Sequence, residues 1–118
     1  MKAVVKLTGP MKVKFRIFGI TLGYMNRTVN ETWNIPFDFG SWDFPINIKG
    51  IPASILFHSD GKTEIDVKVV VYGMSIYEQA FTGADVVNFL TKGKPLSLPL
   101  RYNNRGVIAD LLLKAEVV

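Results

Sequence analysis

The 118-residue sequence predicts a mainly all-β domain: an antiparallel two-sheet β-sandwich of Ig-like architecture, or a small barrel. Three observations point to this fold class. Most of the chain alternates apolar and polar residues, which is the period of a half-buried strand. Gly, Pro, Asn and Asp recur between these stretches at short spacing, as they do in turns. One stretch near residues 83–92 has the period of a helix, and the length suits a single domain covering residues 1–118.

Two of the alternating stretches reverse their phase at a glycine. In the first, apolar residues hold odd positions up to Ile17 and even positions from Ile20 onward, with Gly19 between them. Gly73 stands at the same place in the second stretch, which begins at Ile65. A phase slip turns the buried face outward unless an extra residue absorbs it, and glycine takes the positive φ of a bulge cheaply. The pattern predicts two long strands, each bent at a glycine bulge.

The two stretches also share residue types at matching positions: Val13, Lys14 and Gly19 in the first, Val67, Lys68 and Gly73 in the second. Two interpretations remain open. A duplication would give two related halves packed about a pseudo-twofold axis. Alternatively, bent amphipathic strands converge on this pattern independently. Strands in unrelated positions of their sheets would exclude the duplication.

The elements before residue 40 are predicted as follows. The first strand covers Ala3–Leu7 and is closed by the turn pair Gly9-Pro10. The first bent strand covers Lys12–Tyr24. The stretch Ile35–Phe39 alternates again, and because its proline lacks the N–H that a ladder needs, it belongs at a sheet edge.

The middle of the chain predicts a strand and a hairpin. Trp42–Ile48 has apolar residues at every even position. Ala53–His58 and Thr63–Tyr72 flank an Asp-Gly pair at positions 60 and 61, and such a pair between two alternating stretches is a strong hairpin signal.

One short helix is predicted near residues 83–92. Thr82 is the expected N-cap, with Asp85 three residues later in a capping box, and Gly93 supplies the stop. Three apolar residues then share one helix face: Val86, Phe89 and Leu90.

The C-terminal part predicts a second hairpin. Leu96–Tyr102 alternates, and the loop Asn103–Gly106 returns the chain to Val107–Val118. The last segment fits a strand or a helix, and we favour the strand because a hairpin loop precedes it and β-branched residues end it.

The composition argues against an enzyme. The chain has no cysteine, which excludes disulfides, thiolate catalysis and cysteine zinc sites. Its single histidine, His58, lies beside Ser59 and Asp60, but neighbours in sequence do not form a catalytic triad. We therefore expect no catalytic residues, no metal and no cofactor.

Charge and hydropathy bear on location and partners. No apolar run approaches the roughly 20 residues that span a bilayer, so no transmembrane segment is predicted. The segment Met1–Leu7 lacks the apolar stretch of a signal peptide, so the cytoplasm is the default compartment unless a leader was removed. The net charge of +4 suits solubility and also an acidic partner.

The first functional hypothesis is a non-enzymatic interaction or structural module that engages a protein partner or assembles with itself. Aromatic residues crowd the region around the proline-bearing edge strand, and they serve either as core or as a partner-facing patch. The candidate partner-binding residues are Trp33, Trp42 and Phe44.

Three alternatives stay open. Bent strands and generous apolar content suit a carrier of a small apolar ligand or lipid. If the two bent strands share one sheet, basic and aromatic residues interleave as in single-stranded nucleic-acid readers, the set being Lys12, Lys14, Arg16, Phe18, Lys68 and Tyr72. Asp38 and Asp43 flank a turn and would supply the carboxylate pair of a carbohydrate hydrolase.

Overall fold

The computed structural model describes all 118 residues and contains eight strands and one helix. In chain order they are β1 (Ala3–Ile17), β2 (Ile20–Ile35), β3 (Gly40–Ile48), β4 (Ile51–Ser59), β5 (Ile65–Val71), β6 (Met74–Phe81), α1 (Ala84–Lys92), β7 (Leu96–Asn104) and β8 (Val107–Val117).

The strands form two four-stranded antiparallel sheets, which confirms the predicted sandwich rather than the small barrel. Sheet A has the order β2-β1-β8-β7, and sheet B has the order β3-β4-β5-β6. The inward positions of the central strands, such as Leu7 on β1 and Val69 on β5, are fully buried. They belong to one core of 29 buried apolar residues between the sheets.

The predicted bulged strands at Gly19 and Gly73 are wrong, because both glycines lie in hairpin turns. Phe18-Gly19 joins β1 to β2, and Tyr72-Gly73 joins β5 to β6, with positive φ at all four residues. A two-residue turn places the residues on either side of it opposite one another and on the same face. The inward apolar residues therefore have odd numbers directly before the first turn and even numbers directly after it, without any bulge at the glycine.

Each of these hairpins does contain an inserted residue, but it lies beyond the turn. The β1–β2 register shifts between Phe15 and Arg16, leaving Leu22 as the extra residue. The β5–β6 register shifts between Val69 and Val70, leaving Ile76 extra. Both bulges stand three residues after the turn glycine and increase the local twist of the hairpin.

Two further strand predictions need correction. β1 does not end at Leu7 but continues through Gly9 to Ile17, since its ladder with β8 resumes at Met11 opposite Ala109. Residues 36–39 form a connection rather than an edge strand, and Phe37 within it adopts φ 51 and is buried in the core.

The helix and the C-terminal hairpin are confirmed. The three predicted face residues of α1 are its buried ones, and Gly93 ends it at φ 69. The N-cap is Gly83 and makes no side-chain hydrogen bond, so the prediction of Thr82 as the cap is wrong. The segment after Gly106 is the predicted strand, β8, paired with β7 and β1.

The predicted β4–β5 hairpin is also confirmed, with a connection held by one carboxylate. Asp60 accepts hydrogen bonds from the backbone amides of Lys62, Thr63 and Glu64 at 2.9, 2.8 and 3.0 Å, and from the Thr63 hydroxyl at 2.6 Å. The Thr63 hydroxyl is the largest of these influences, and together they hold the pKa of Asp60 well below its usual range.

The topology repeats itself after four strands. Replacing each strand of sheet A by the strand four places away in the chain turns its order into β6-β5-β4-β3, which is sheet B. The bent stretches around Gly19 and Gly73 therefore occupy equivalent positions, as the duplication interpretation requires. The halves differ in one connection, because α1 lies between β6 and β7 whereas residues 36–39 join β2 to β3.

One buried phenol provides a test of the inter-sheet packing. Tyr102 on β7 lies against Tyr77 on β6 at a ring-centroid distance of 5.0 Å, and its hydroxyl is buried without a hydrogen-bond partner. Burial, and secondarily the charge of Tyr77, raises the pKa of Tyr102. We expect Tyr102→Phe to stabilise the protein by about 1 kcal/mol at neutral pH, because an unsatisfied polar group is removed.

The stabilisation should grow in alkali. In the unfolded chain the Tyr102 phenol ionises near its usual pKa of about 10, whereas the folded protein keeps it protonated to higher pH. The unfolded state thus releases more protons, and wild-type stability falls as pH rises through 10. Urea denaturation of both proteins at pH 7 and pH 10.5 checks this, with the exposed Tyr24→Phe as control. An equal loss of stability in Tyr102→Phe and wild type would contradict it.

Candidate interaction surface

The β1–β2 hairpin extends beyond the rest of the sandwich. The ladder between β1 and β8 ends where Val13 lies opposite Val107, followed by one hydrogen bond from the Lys14 amide to the Gly106 carbonyl, 2.7 Å long. From there outward, only β1 and β2 pair with each other. We call residues 14–24 the finger. It contributes to the elongated shape of the molecule, which measures 51 × 21 × 20 Å.

One face of the finger continues the core face of sheet A. Successive inward residues of β1 are Val13, Phe15 and Ile17, and Ile17 lies directly opposite Ile20. Val13 is 3% exposed, whereas the next two inward positions, Phe15 and Ile17, are 40% and 44% exposed. The apolar stripe that builds the core therefore continues for two more positions at which the side chains are only partly covered.

Large apolar side chains are concentrated on the finger. At its tip Phe18 is 99% exposed, and Ile20 and Leu22 are 64% and 58% exposed. Of the twelve exposed large hydrophobic residues in the protein, six lie within the finger, and the others at this end are Tyr72 and Met74. Contiguous exposed apolar surface of this kind marks an interaction site more often than isolated residues do.

The opposite face of the finger is cationic. Lys12, Lys14 and Arg16 alternate with the apolar residues along β1, and Lys14 lies directly opposite Tyr24. No acidic residue occurs in the first 30 positions of the sequence, Glu31 being the first. The finger therefore pairs an apolar face with a basic one.

The other three two-residue turns of the sandwich surround the base of the finger. They are Lys49-Gly50, Tyr72-Gly73 and Arg105-Gly106. Together with the finger they enclose an open cleft of about 830 Å³, lined by apolar side chains such as Val71 and by the basic Lys14 and Arg16. The carrier hypothesis stays a prediction, and this cleft is where an apolar ligand would lie.

The acidic residues nearest to the β5–β6 and β7–β8 turns each have a basic partner. Asp110 accepts a hydrogen bond from Arg101 at 3.0 Å, and Glu78 lies 3.6 Å from Lys68. Each pair stands three ladder steps from its turn. This end of the molecule consequently carries unpaired positive charge.

The predicted partner-binding residues lie on the body. Trp33 stacks on Phe44 with ring centroids 5.1 Å apart, and Trp42 contacts Phe37 edge-on at 6.0 Å. All three predicted residues are half-buried and pack against the core. The structure brings Trp33 and Phe44 together, and their role in binding a partner stays a prediction.

The predicted nucleic-acid set is divided between the two sheets. Lys12, Lys14, Arg16 and Phe18 belong to the finger and its base, whereas Lys68 lies on β5 in sheet B and pairs with Glu78. The condition of one shared sheet is therefore not met. Tyr72 is the member of the sheet B pair that reaches the finger end, where its hydroxyl lies 3.5 Å from the Gly50 carbonyl oxygen.

His58 forms a contact that its sequence neighbours did not indicate. Its Nδ1 is hydrogen bonded to the Ser41 hydroxyl at 2.8 Å across the β3–β4 ladder, and Asp66 lies opposite it on β5. Ser59 instead points inward, towards the Phe37 carbonyl oxygen. The row of Ser41, His58 and Asp66 lies on the outer face of sheet B, and His58 makes no hydrogen bond to Asp66. Asp38 and Asp43 are both exposed.

Sequence reasoning missed the apolar side of the finger. The alternation alone predicts that Phe15, Ile17, Ile20 and Leu22 belong to one bent, half-buried strand, since a bulge at Gly19 also explains the phase reversal. The signal that identifies them is the combination of a two-residue turn, alternation on both sides of it and the lack of acidic residues over the whole stretch.

The only helix, α1, has nine residues, and no helix is long and apolar enough to cross a bilayer. Comparison of the chain with protein-family models, with curated proteins and with solved structures found no match.

Proposed function

We propose that this chain is a non-enzymatic interaction domain that docks onto another macromolecular surface through the finger. The observation that carries the proposal is the continuation of the core stripe, through Phe15, Ile17 and Ile20, past the end of the body. Burial of the other apolar residues in this stripe stabilises the fold, whereas the exposed part of these side chains contributes no such free energy. A partner that covers them recovers it.

Backbone strain at the same end supports the proposal. Phe18, Tyr72 and Arg105 are the first residues of three hairpin turns and adopt φ between 50 and 51. Asparagine, aspartate or glycine fits such a position with less strain. Bulky side chains held in this conformation are typical of functional sites. The residue is unfavourable for the turn, so its presence is explained better by a role of its exposed side chain.

The finger is also held in a fixed position. β1 is a central strand of sheet A, paired with β8 over nine positions and with β2 along its full length. The finger extends the β1–β2 ladder as far as its turn, with one bulge at Leu22, and is not a separate loop. A preorganised surface of this kind binds with a smaller loss of conformational entropy than a mobile loop does.

A photo-crosslinking amino acid at position 18 tests the proposal in the cells that produce the protein. We expect irradiation to give a discrete adduct at Phe18, with a protein or a lipid, because the tip is buried in the complex. The matched control is position 39, since Phe39 is 80% exposed but lies near Gly61 at the opposite end of the molecule. No adduct at position 18, or the same adducts at both positions, would contradict the proposal.

A further inference from the structure

We propose that the surface engaged by the finger is the interface of a lipid bilayer containing anionic lipids. This inference rests on the proposed function and names its partner. Three features of the finger carry it: its shape, the placement of its aromatic and apolar side chains, and its charge.

The shape of the finger suits insertion rather than docking in a groove of equal size. It is a convex hairpin whose outermost residue, Phe18, is almost completely exposed. Three ladder positions on β1, from Phe15 to Ile17, lie beyond its last hydrogen bond to the β7–β8 turn, which corresponds to about 10 Å of strand. Elements that lie in a membrane interface bury their apolar face to about 5–10 Å, so the overhang matches this depth.

The side chains are graded along the finger. Phe18, Ile17 and Ile20 form the tip, Arg16 lies one ladder step behind it, and Tyr24 lies further back, at the level of Lys14. Apolar residues therefore lie at the point of deepest insertion, and basic residues and tyrosine lie behind them. Side chains partition across the water–lipid interface in this order. Tyr72 and Met74 of the neighbouring turn add apolar surface behind the finger.

The charge selects the lipid and argues against a second copy of the chain. Lys12 and Arg105 lie at the base of the finger, Lys14 and Arg16 lie along it, and the nearest carboxylates at the turns are already paired. Two copies joined through their fingers would bring these like charges together without compensation. A surface of anionic lipid headgroups supplies the compensation, and each basic residue near it strengthens binding about fivefold.

Sedimentation with vesicles tests the inference. We expect the protein to bind vesicles of phosphatidylcholine with phosphatidylglycerol, and to bind pure phosphatidylcholine at least tenfold more weakly. Phe18→Ser with Ile20→Ser should weaken binding at least tenfold, because two inserted apolar side chains are lost. The matched control, Phe39→Ser with Val118→Ser, removes equally exposed side chains elsewhere and should bind as wild type does.

A second pair of variants separates charge from insertion. Lys14→Gln with Arg16→Gln should weaken binding to the anionic vesicles about tenfold or more, whereas Lys92→Gln with Lys94→Gln, on and after α1, should not. Because the chain has no cysteine, Phe18→Cys can carry a single environment-sensitive fluorophore. Its emission should shift to the blue on anionic vesicles, and the same label at position 39 should not respond.

Two results would overturn the inference: no binding to the anionic vesicles at low salt, or equal loss of binding in the finger variant and its control. A discrete protein adduct at position 18, without vesicle binding, would overturn it while leaving the proposed function intact. Failure of both experiments would overturn the two proposals together.

Discussion

Replacing Phe37 with alanine is expected to lower the free energy of unfolding by about 3–5 kcal/mol, the usual cost of removing a fully buried aromatic ring. Phe37 lies in the connection between β2 and β3 and contacts three aromatic rings: Phe89 at 5.3 Å, Trp42 at 6.0 Å and Phe57 at 6.3 Å between centroids. These neighbours belong to the helix and to sheet B. The ring therefore joins three elements, and its cavity cannot be filled by movement of one of them.

Equilibrium urea denaturation followed by circular dichroism measures this effect. Phe39→Ala is the matched control, because it makes the same chemical change two residues away at an exposed position. We expect the control to change stability by no more than about 0.5 kcal/mol. A loss below about 1.5 kcal/mol for Phe37→Ala would show that the ring does not fill the core as described.

The second large effect is expected at Gly9, in the middle of β1. Its φ is +141°, and a Cβ placed there would collide with the carbonyl oxygen of Asp110 on β8. Gly9→Ala therefore combines an unfavourable backbone conformation with a steric clash. The clashing atom belongs to the main chain of β8, which cannot move aside as a flexible side chain could. We expect a loss of about 3 kcal/mol or more, together with weakened pairing of β1 and β8.

Gly23→Ala separates these two contributions. Gly23 has φ +134°, nearly the same backbone conformation, but nothing lies within 4 Å of a Cβ placed there. The expected loss is about 1–2 kcal/mol, from the backbone alone. Urea denaturation gives both values, and hydrogen exchange of the β8 amides reports the pairing. Equal losses for the two variants would show that the approach of Asp110 to Gly9 does not destabilise the substituted protein.

The sequence located the strands and the fold class because burial is one-sided. The odd positions of β8 and the even positions of β3 carry the core, and period-two alternation reports this directly. The helix was equally visible, since Val86, Phe89 and Leu90 lie on one face and a glycine follows.

The turns were less visible, for a physical reason. A two-residue turn with positive φ is normally identified by Asn-Gly or Asp-Gly, but here the first position holds Phe18 or Tyr72. With that signal missing, the change of parity resembled a bulge. The exposed apolar face of the finger was hidden for the same reason, because Ile17 and Ile20 become an exposed pair only when the chain reverses between them.

Some of the predicted site was out of reach of local patterns. Assigning β1 and β5 to different sheets requires knowing that β1 pairs with β8 and that β4 pairs with β5. The first of these pairings joins strands from opposite ends of the chain. The contact between Ser41 and His58 likewise depends on the β3–β4 register. Alternation fixes which face a residue occupies, but not which strand lies beside it.

The repeated topology has a consequence for how the chain folds. Each sheet contains two strands from each half of the chain: β1 and β2 pair up with β7 and β8 in sheet A, and β3 and β4 with β5 and β6 in sheet B. A peptide ending at Ser59 would leave β1 and β4 as bare edges, each open to the strand that the missing half supplies. The amide of Val118 donates to the Lys2 carbonyl at 2.9 Å, so the two chain ends stand side by side, as β4 and β5 do where Asp60 joins them. Because each half completes both sheets of the other, we expect the two halves to fold together and not as independent units.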